Sequence, residues 1–170
     1  MLSRRGFPQG TGRRQPTLPM PGITELPSFR RLSLDDMDRA AVVLRTAFDE
    51  RLPWLAGLHT PEQDRAFFRG HVFAHCETWG AFDGGMIGFI AFRGGWVDQL
   101  YVLPGRQGMG TGDGLLRIAK AAHACLHLWT FRRNAIARRF YERRGFVAIE
   151  ETDGQENEER EPAILYRWQG

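Results

Sequence analysis

Three glycines at alternate positions, Gly108, Gly110 and Gly112, stand where an apolar strand pattern (Trp96 to Val102), broken at Pro104, gives way to an amphipathic helix pattern. Glycine lets the backbone approach a ligand closely. Free N–H groups at a helix N-terminus, aided by the helix dipole, favour anionic oxygen. Strand, glycine loop and helix start together predict a cradle for a phosphate-bearing cofactor. Asp113, in the first helical turn, reads as a partner of the helix dipole rather than as a reactive group.

Spacing separates the loop chemistries. A P-loop needs Lys-Ser/Thr after its second glycine; Gly105 and Gly110 have the separation, but Thr111-Gly112 follows. A dinucleotide fingerprint needs Gly-x-Gly-x-x-Gly, and the third glycine would fall on Asp113 or Leu115. A third pattern fits. Gln107-Gly108-Met109-Gly110-Thr111-Gly112 resembles the Gln/Arg-x-x-Gly-x-Gly/Ala motif of the GNAT (Gcn5-related) N-acetyltransferases, and Leu100-Tyr-Val-Leu-Pro104 resembles that family's fourth strand and its exit. Downstream, Trp129-Thr-Phe-Arg-Arg-Asn134 and Phe140-Tyr141-Glu142-Arg-Arg-Gly145-Phe146 resemble its fifth strand, the Asn that opens the next helix, and its Phe-Tyr-Glu-x-x-Gly-Phe signature.

The resemblance implies an acetyl-CoA-dependent N-acetyltransferase acting on a primary amine, with acetyl-CoA as co-substrate and no metal. It places the pyrophosphate on the amides of Gln107, Gly108, Met109, Gly110, Thr111 and Gly112, and pairs the pantetheine with backbone at Leu100, Tyr101 and Val102. Asn134 and Tyr141 are two helical turns apart and share a side. Asn134 suits a helix N-cap and, by the resemblance, also the pantetheine. Tyr141 is the family's general acid toward the CoA thiolate; a phenol near its ordinary pKa of ~10 is protonated at neutral pH, although a packed core aromatic is its other reading. Asp98 alternates in phase with Leu100 and Val102 and is the candidate base, or else a solvent-facing or salt-bridged carboxylate. A domain that binds acyl-CoA as a sensor, without turnover, is the alternative to an enzyme.

Glu150 to Glu161 carries seven acids against one arginine. It reads either as an attractor for a cationic amine acceptor or as a solvated hairpin tip. Trp54, Phe67 and Phe68 are candidates to line an acceptor pocket, with core packing the alternative for the phenylalanines. The i,i+4 pair His71 and His75 lacks the Glu of a zinc-helix motif, and His123, Cys125 and His127 have no common zinc spacing.

The elements that must position these groups can be read around them. A strand at Ser28–Leu32 precedes a helix carrying Leu34, Met37, Ala41, Leu44 and Phe48, with Ser33 as N-cap, and a second helical stretch runs from about Pro61 to His75. Strands at 78–83 and 86–92 form a hairpin around Asp83-Gly84-Gly85. The second has Ile87, Phe89 and Ala91 interleaved with Met86, Ile90 and Phe92, apolar on both faces and therefore central. Strand 96–102, helix 112–124, strand 126–131, helix 134–143 and strands 146–152 and 163–168 follow. The expected fold is an α/β (α+β) sandwich: a mixed, mostly antiparallel sheet of six to seven strands with about four flanking helices, the GNAT acyl-CoA N-acyltransferase order.

The 170 residues suit one domain. Four arginines against one glutamate in residues 1–27 hold the whole net charge of +3, leaving 19 basic and 19 acidic residues in 28–170. Such an Arg/Pro/Gly-rich segment predicts a largely disordered, dispensable tail ahead of a single domain at 28–170. The neutral domain argues against a nucleic-acid partner, the lack of an 18-residue apolar run against a membrane span, and Cys76 and Cys125 fit a reducing cytoplasm better than a disulfide framework. GNAT proteins frequently form homodimers; no sequence feature decides the point.

Overall fold

The structure, a computed structural model, describes residues 26–170; the expected disordered tail lies almost entirely outside them. Strand β1 (Ser28–Arg31) leads through a 3-10 turn at Leu34–Asp36 into helix α1 (Met37–Arg51). The entry is pinned by Asp36, whose carboxylate accepts from the Ser33 N–H at 2.8 Å and from both Nη atoms of Arg30 at 2.8 Å. That pairing holds the Asp36 carboxyl well below the usual carboxylate range. Helix α2 (Pro61–Phe67) starts from a capping box, Thr60 with Gln63, and has Pro61 at its first position, where a missing N–H costs nothing. It runs through a π turn at Phe68–Val72 into the single turn α3 (Phe73–His75), so the expected second helical stretch is continuous but locally widened. Phe68 and Val72 both enter the core from that turn.

Strands β2 (Glu77–Phe82), β3 (Met86–Arg93) and β4 (Trp96–Val102) form a meander. Helix α4 (Thr111–Ala122), strand β5 (Cys125–Phe131), helix α5 (Ala135–Glu142), and strands β6 (Val147–Thr152) and β7 (Ala163–Gln169) complete the chain. One seven-stranded sheet results, in the order β1-β2-β3-β4-β5-β7-β6, antiparallel except between β4 and β5. This is the mixed, mostly antiparallel architecture expected from the sequence.

Central β3 is buried throughout except at Arg93. Phe89 and Ala91 pack under α1 and the α2–α3 rod with Met37, Val43 and Phe68, while Ile90 and Phe92 pack under α4 and α5 with Leu115, Leu116 and Tyr141. Side chains of this size contribute ~1.5–3 kcal/mol each when fully buried, so the sheet's middle is its rigid part. A bidentate pair, Arg45 Nε and Nη2 to the Asp64 carboxylate at 2.8 Å each, ties α1 to α2.

Strands β4 and β5 are paired at one position only, Trp96 with His127, where the His127 N–H donates to Gly95 O at 2.8 Å. Beyond it they part, and the gap is the cleft described next. No helix among the described residues is long and apolar enough to cross a membrane. Cys76 and Cys125 are free thiols.

Candidate active site

The parting of β4 and β5 opens into a cavity of about 1390 Å³ that continues from the glycine loop, past the inner edge of β4 and the start of α5, to the β6–β7 connection. Register decides which backbone groups face it. The Leu103 N–H donates to Ile87 O at 2.8 Å. By antiparallel alternation Gln99 and Tyr101 then direct N–H and C=O toward β3, and Leu100 and Val102 direct theirs into the gap. Of these, Val102 O accepts from Gln107 Nε2 at 2.9 Å. Leu100 therefore offers both backbone groups and Val102 its N–H. The backbone of Tyr101, expected beside them, is committed to β3, and its side chain faces the cleft instead.

At the glycine loop, Gly110 is the N-cap of α4 at φ +84°, and Gly108 has φ +76°. Both conformations disfavour an L side chain. A Cβ on Gly110 would meet nothing within 4 Å, so the space over the helix N-terminus is open to a ligand. Gly112 differs: its missing side chain admits the Phe140 ring, which an added Cβ would approach to 3.2 Å. Gln107 acts as a strut, linking Val102 O through Nε2 and taking a bond from Arg51 of α1 on Oε1 at 2.6 Å. Among the expected loop contacts, Met109 is exposed and Thr111 buried, and neither lines the cavity.

From α5, Asn134 caps the helix, its Oδ1 accepting from the Ala137 N–H at 3.1 Å. Tyr141, 8% exposed, packs against Phe140 and Phe146, and lines the cleft with no hydrogen-bond partner for its hydroxyl among the described residues. Burial, with a smaller contribution from Tyr101, pushes the Tyr141 phenol well above its ordinary value. Burial likewise pushes Tyr101 up to about 12, with Glu159 adding to the effect and Arg45 opposing it.

Asp98 is placed differently from the simple alternation. The β3–β4 register shifts between Ala91/Gln99 and Phe92/Val97, so Asp98 is the extra residue of a β-bulge. Val97 keeps the face of Leu100 and Val102, and the Asp98 carboxylate crosses to the α1 face. There its Oδ2 lies 2.7 Å from Arg93 Nε and accepts from Cys76 Sγ at 3.2 Å. The residue remains on the cleft wall with Oδ1 free of both contacts. Burial and this hydrogen bond push the Cys76 thiol up to about 12, favouring the protonated thiol at neutral pH.

The acidic segment is a built loop. Gly154, at φ +81°, lies so close to the backbone of Glu161 that a Cβ would come within 2.3 Å of its carbonyl carbon. The Asn157 side chain bonds the Glu161 backbone in both directions, at 2.7 and 3.1 Å. The outer face of the loop is clasped by Trp54 Nε1 and Arg133 on Glu161, at 2.8 and 3.3 Å, and by His59 near Glu158 at 3.6 Å. Trp54 thus fastens the loop from outside, Phe68 is core, and Phe67 stacks on His71; none of the three lines the cleft. His71 in turn packs on His75, so both histidines are aromatic packing partners.

Several cleft residues had no motif to announce them. Phe48 and Arg51 come from the last turns of α1, and Arg139, Arg143 and Arg144 lie on and just after α5 beside the glycine loop. The arginine pairs flanking Phe140-Tyr141-Glu142 were the available signal. Arg144 is fixed by Asp113 at 2.8 Å and by the Phe140 carbonyl at 2.9 Å, so Asp113 ties α4 to α5. Arg139 and Arg143 make no ion pair among the described residues.

Residues 71–148 match the family model described as an acetyltransferase (GNAT) domain. Solved structures share the fold. Apo YjaB from Escherichia coli superposes with a TM-score of 0.71 at 18% identity, covering 85% of this chain and 98% of that one. A GCN5-related N-acetyltransferase from Rhodopseudomonas palustris does so with 0.71 at 20%, covering 88% and 99%. The PaiA N-acetyltransferase of Thermoplasma acidophilum, solved in complex with coenzyme A, gives 0.61 at 21%, covering 85% and 99%. A search of curated proteins finds no match. The matched stretch lies within the sheet, from the α2–α3 rod to the start of β6, and the whole has the fold of these N-acetyltransferase structures.

Proposed function

We propose that this chain transfers the acetyl group of acetyl-CoA to a primary amine. The observation that carries the reading is the continuity of one cleft: an open helix N-terminus, a free strand edge, a capped Asn and a protonated phenol all border it. The site fits coenzyme A on its own features. The open space above Gly110 suits phosphate oxygens against backbone N–H groups, and Arg139 and Arg143 add uncommitted positive charge beside it. The unpaired backbone groups of Leu100 and Val102 suit an amide-bearing arm laid along β4 as an added strand. Bound there, acetyl-CoA supplies an activated acyl group.

The chain's own groups do the rest. Asn134 has an amide nitrogen to spare for the arm while its oxygen caps α5. The Tyr141 phenol keeps its proton throughout the neutral range and delivers it from Oη to a sulfur anion in the cleft. Asp98 is the candidate base, through Oδ1, toward an amine entering from the α1 side.

Acetyl-CoA-dependent thiol release with a panel of amines tests the proposal. Tyr141→Phe should lower kcat by about 10²- to 10⁴-fold, the usual scale for a lost general acid, with CoA affinity unchanged. Thermal stabilisation by CoA without thiol release for any amine would favour an acyl-CoA sensor.

A further inference from the structure

The carboxylates at the β6–β7 end of the cleft differ in what holds them. Glu158 and Glu161 do not line the cleft; His59 lies near Glu158, and Trp54 with Arg133 holds Glu161. Asp153 lines it and is held by the backbone N–H and side chain of Gln155 at 3.0 and 2.8 Å. Glu151, at the end of β6, and Glu156 and Glu159 line the cleft and make neither ion pair nor hydrogen bond among the described residues. The Gly154 contact and the Asn157–Glu161 bonds fix the loop that carries Glu156 and Glu159. Phe48, Tyr101 and Trp129 line the same cleft and bring aromatic rings to it, a surface that suits a cation. Tyr141 is more than nine-tenths buried, with its hydroxyl unpartnered, and marks where the same cleft leads to the reacting centre.

This distribution poses a chemical problem for a singly charged acceptor. An attacking amine must shed its proton, and carboxylates beside it favour the protonated, unreactive form. Three unpaired carboxylates in the acceptor half work against catalysis unless they hold a different positive charge. We infer that the acceptor is an amine carrying a second cationic group, which Glu151, Glu156 and Glu159 hold while the first nitrogen reaches the Tyr141 end uncharged. The inference rests on the transferase reading above and names its substrate class. Glu159 also supports it by location, since its charge is felt at Tyr101, on the path between loop and reacting centre.

The experiment measures binding and acetylation of a series of α,ω-diamines against n-alkylamines of the same chain lengths, with CoA present for binding and acetyl-CoA for turnover. The best diamine should bind about tenfold or more tightly than its monoamine, as expected for a steering and holding charge pair, and lose that advantage in high salt. Glu156→Gln/Glu159→Gln should abolish the preference, weakening the diamine about tenfold more than the monoamine, and leave CoA affinity unaffected. Glu158→Gln removes one charge from the outer side of the same loop and should keep the preference, separating a local site from overall charge. Equal binding of diamine and monoamine, or equal loss of both in the double variant, overturns the inference. Preferential diamine binding with no thiol released from acetyl-CoA leaves the cation site standing and overturns the transferase reading. Acetylation confined to monoamines does the reverse.

Discussion

The two ends of the cleft are built on opposite plans. At one end, the cleft-facing groups are backbone atoms of β4 and of the α4 N-terminus, backed by arginines and set in the rigid middle of the sheet. At the other end, they are carboxylates on a connection between the two last strands, held by one glycine contact, one asparagine and clasps from outside. The first end offers positive character to an anion and the second negative character to a cation. A scaffold arranged this way holds one ligand chemistry constant and leaves the other to a loop that can change without disturbing the core.

The sharpest way to break the comparison is to damage one end and look for an effect at the other. Gly110→Val puts a β-branched residue at φ +84°, into space a ligand needs. The left-handed strain of ~1–2 kcal/mol is present with or without ligand and lowers stability, whereas the side chain itself stands where the ligand must go. CoA affinity measured by calorimetry should fall by about tenfold or more, ~1.4 kcal/mol, while binding of a cationic amine to the loop end should not. Loss of both would mean that the ends are one cooperative site.

How far each end could be read from sequence follows the same division. The glycine loop and the Asn134–Tyr141 spacing announce themselves because backbone-based binding demands particular residues: glycines where φ is positive, Asn at a cap, an i,i+7 pair on one helix side. Strand β3 is equally legible, since burial on both faces leaves an unbroken apolar run. Asp98 shows the limit. Simple alternation puts it with Leu100 and Val102; a single extra residue in β4 puts it against Arg93 and Cys76, and a bulge leaves no mark in an alternating pattern. Phe48, like Trp54 and Phe68, looks the same in sequence whether it faces core, cleft or loop. The acidic loop was visible as charge, but its partition into clasped and open carboxylates depends on Gly154 and Asn157 and on residues such as His59 and Arg133, far from it in the chain.

Gly154→Ala probes the weaker end by shape instead of charge. Its Cβ would collide with the Glu161 backbone, so the loop must rearrange around it. Acceptor KM should rise by about fivefold, ~1 kcal/mol of binding lost as the loop's carboxylates are displaced, and the KM for acetyl-CoA should stay as it is. The melting temperature should drop little, because β6 is an exposed edge strand and the loop lies outside both core clusters. A large fall in melting temperature would show that the loop is part of the folding core and the two plans are not independent.

The smallest effect belongs to Tyr101, which stands between the two ends. Its phenol is raised from 10.0 to about 12 in the folded chain, mainly by burial and further by Glu159. A group raised on folding contributes its full stabilisation below the unfolded pKa and loses it as pH climbs to the folded one. Melting temperature should therefore begin to fall near pH 10 and continue falling toward pH 12. Tyr101→Phe should make that limb shallower, the raised phenols of Tyr141 and Tyr166 keeping the rest of it, and Glu159→Gln should do so less, because burial is the larger cause. Should Glu159→Gln leave the alkaline limb unchanged while Tyr101→Phe makes it shallower, the loop's charge would not be reaching the wall that joins the two ends, and the acidic half of the cleft would be more separate than this geometry allows.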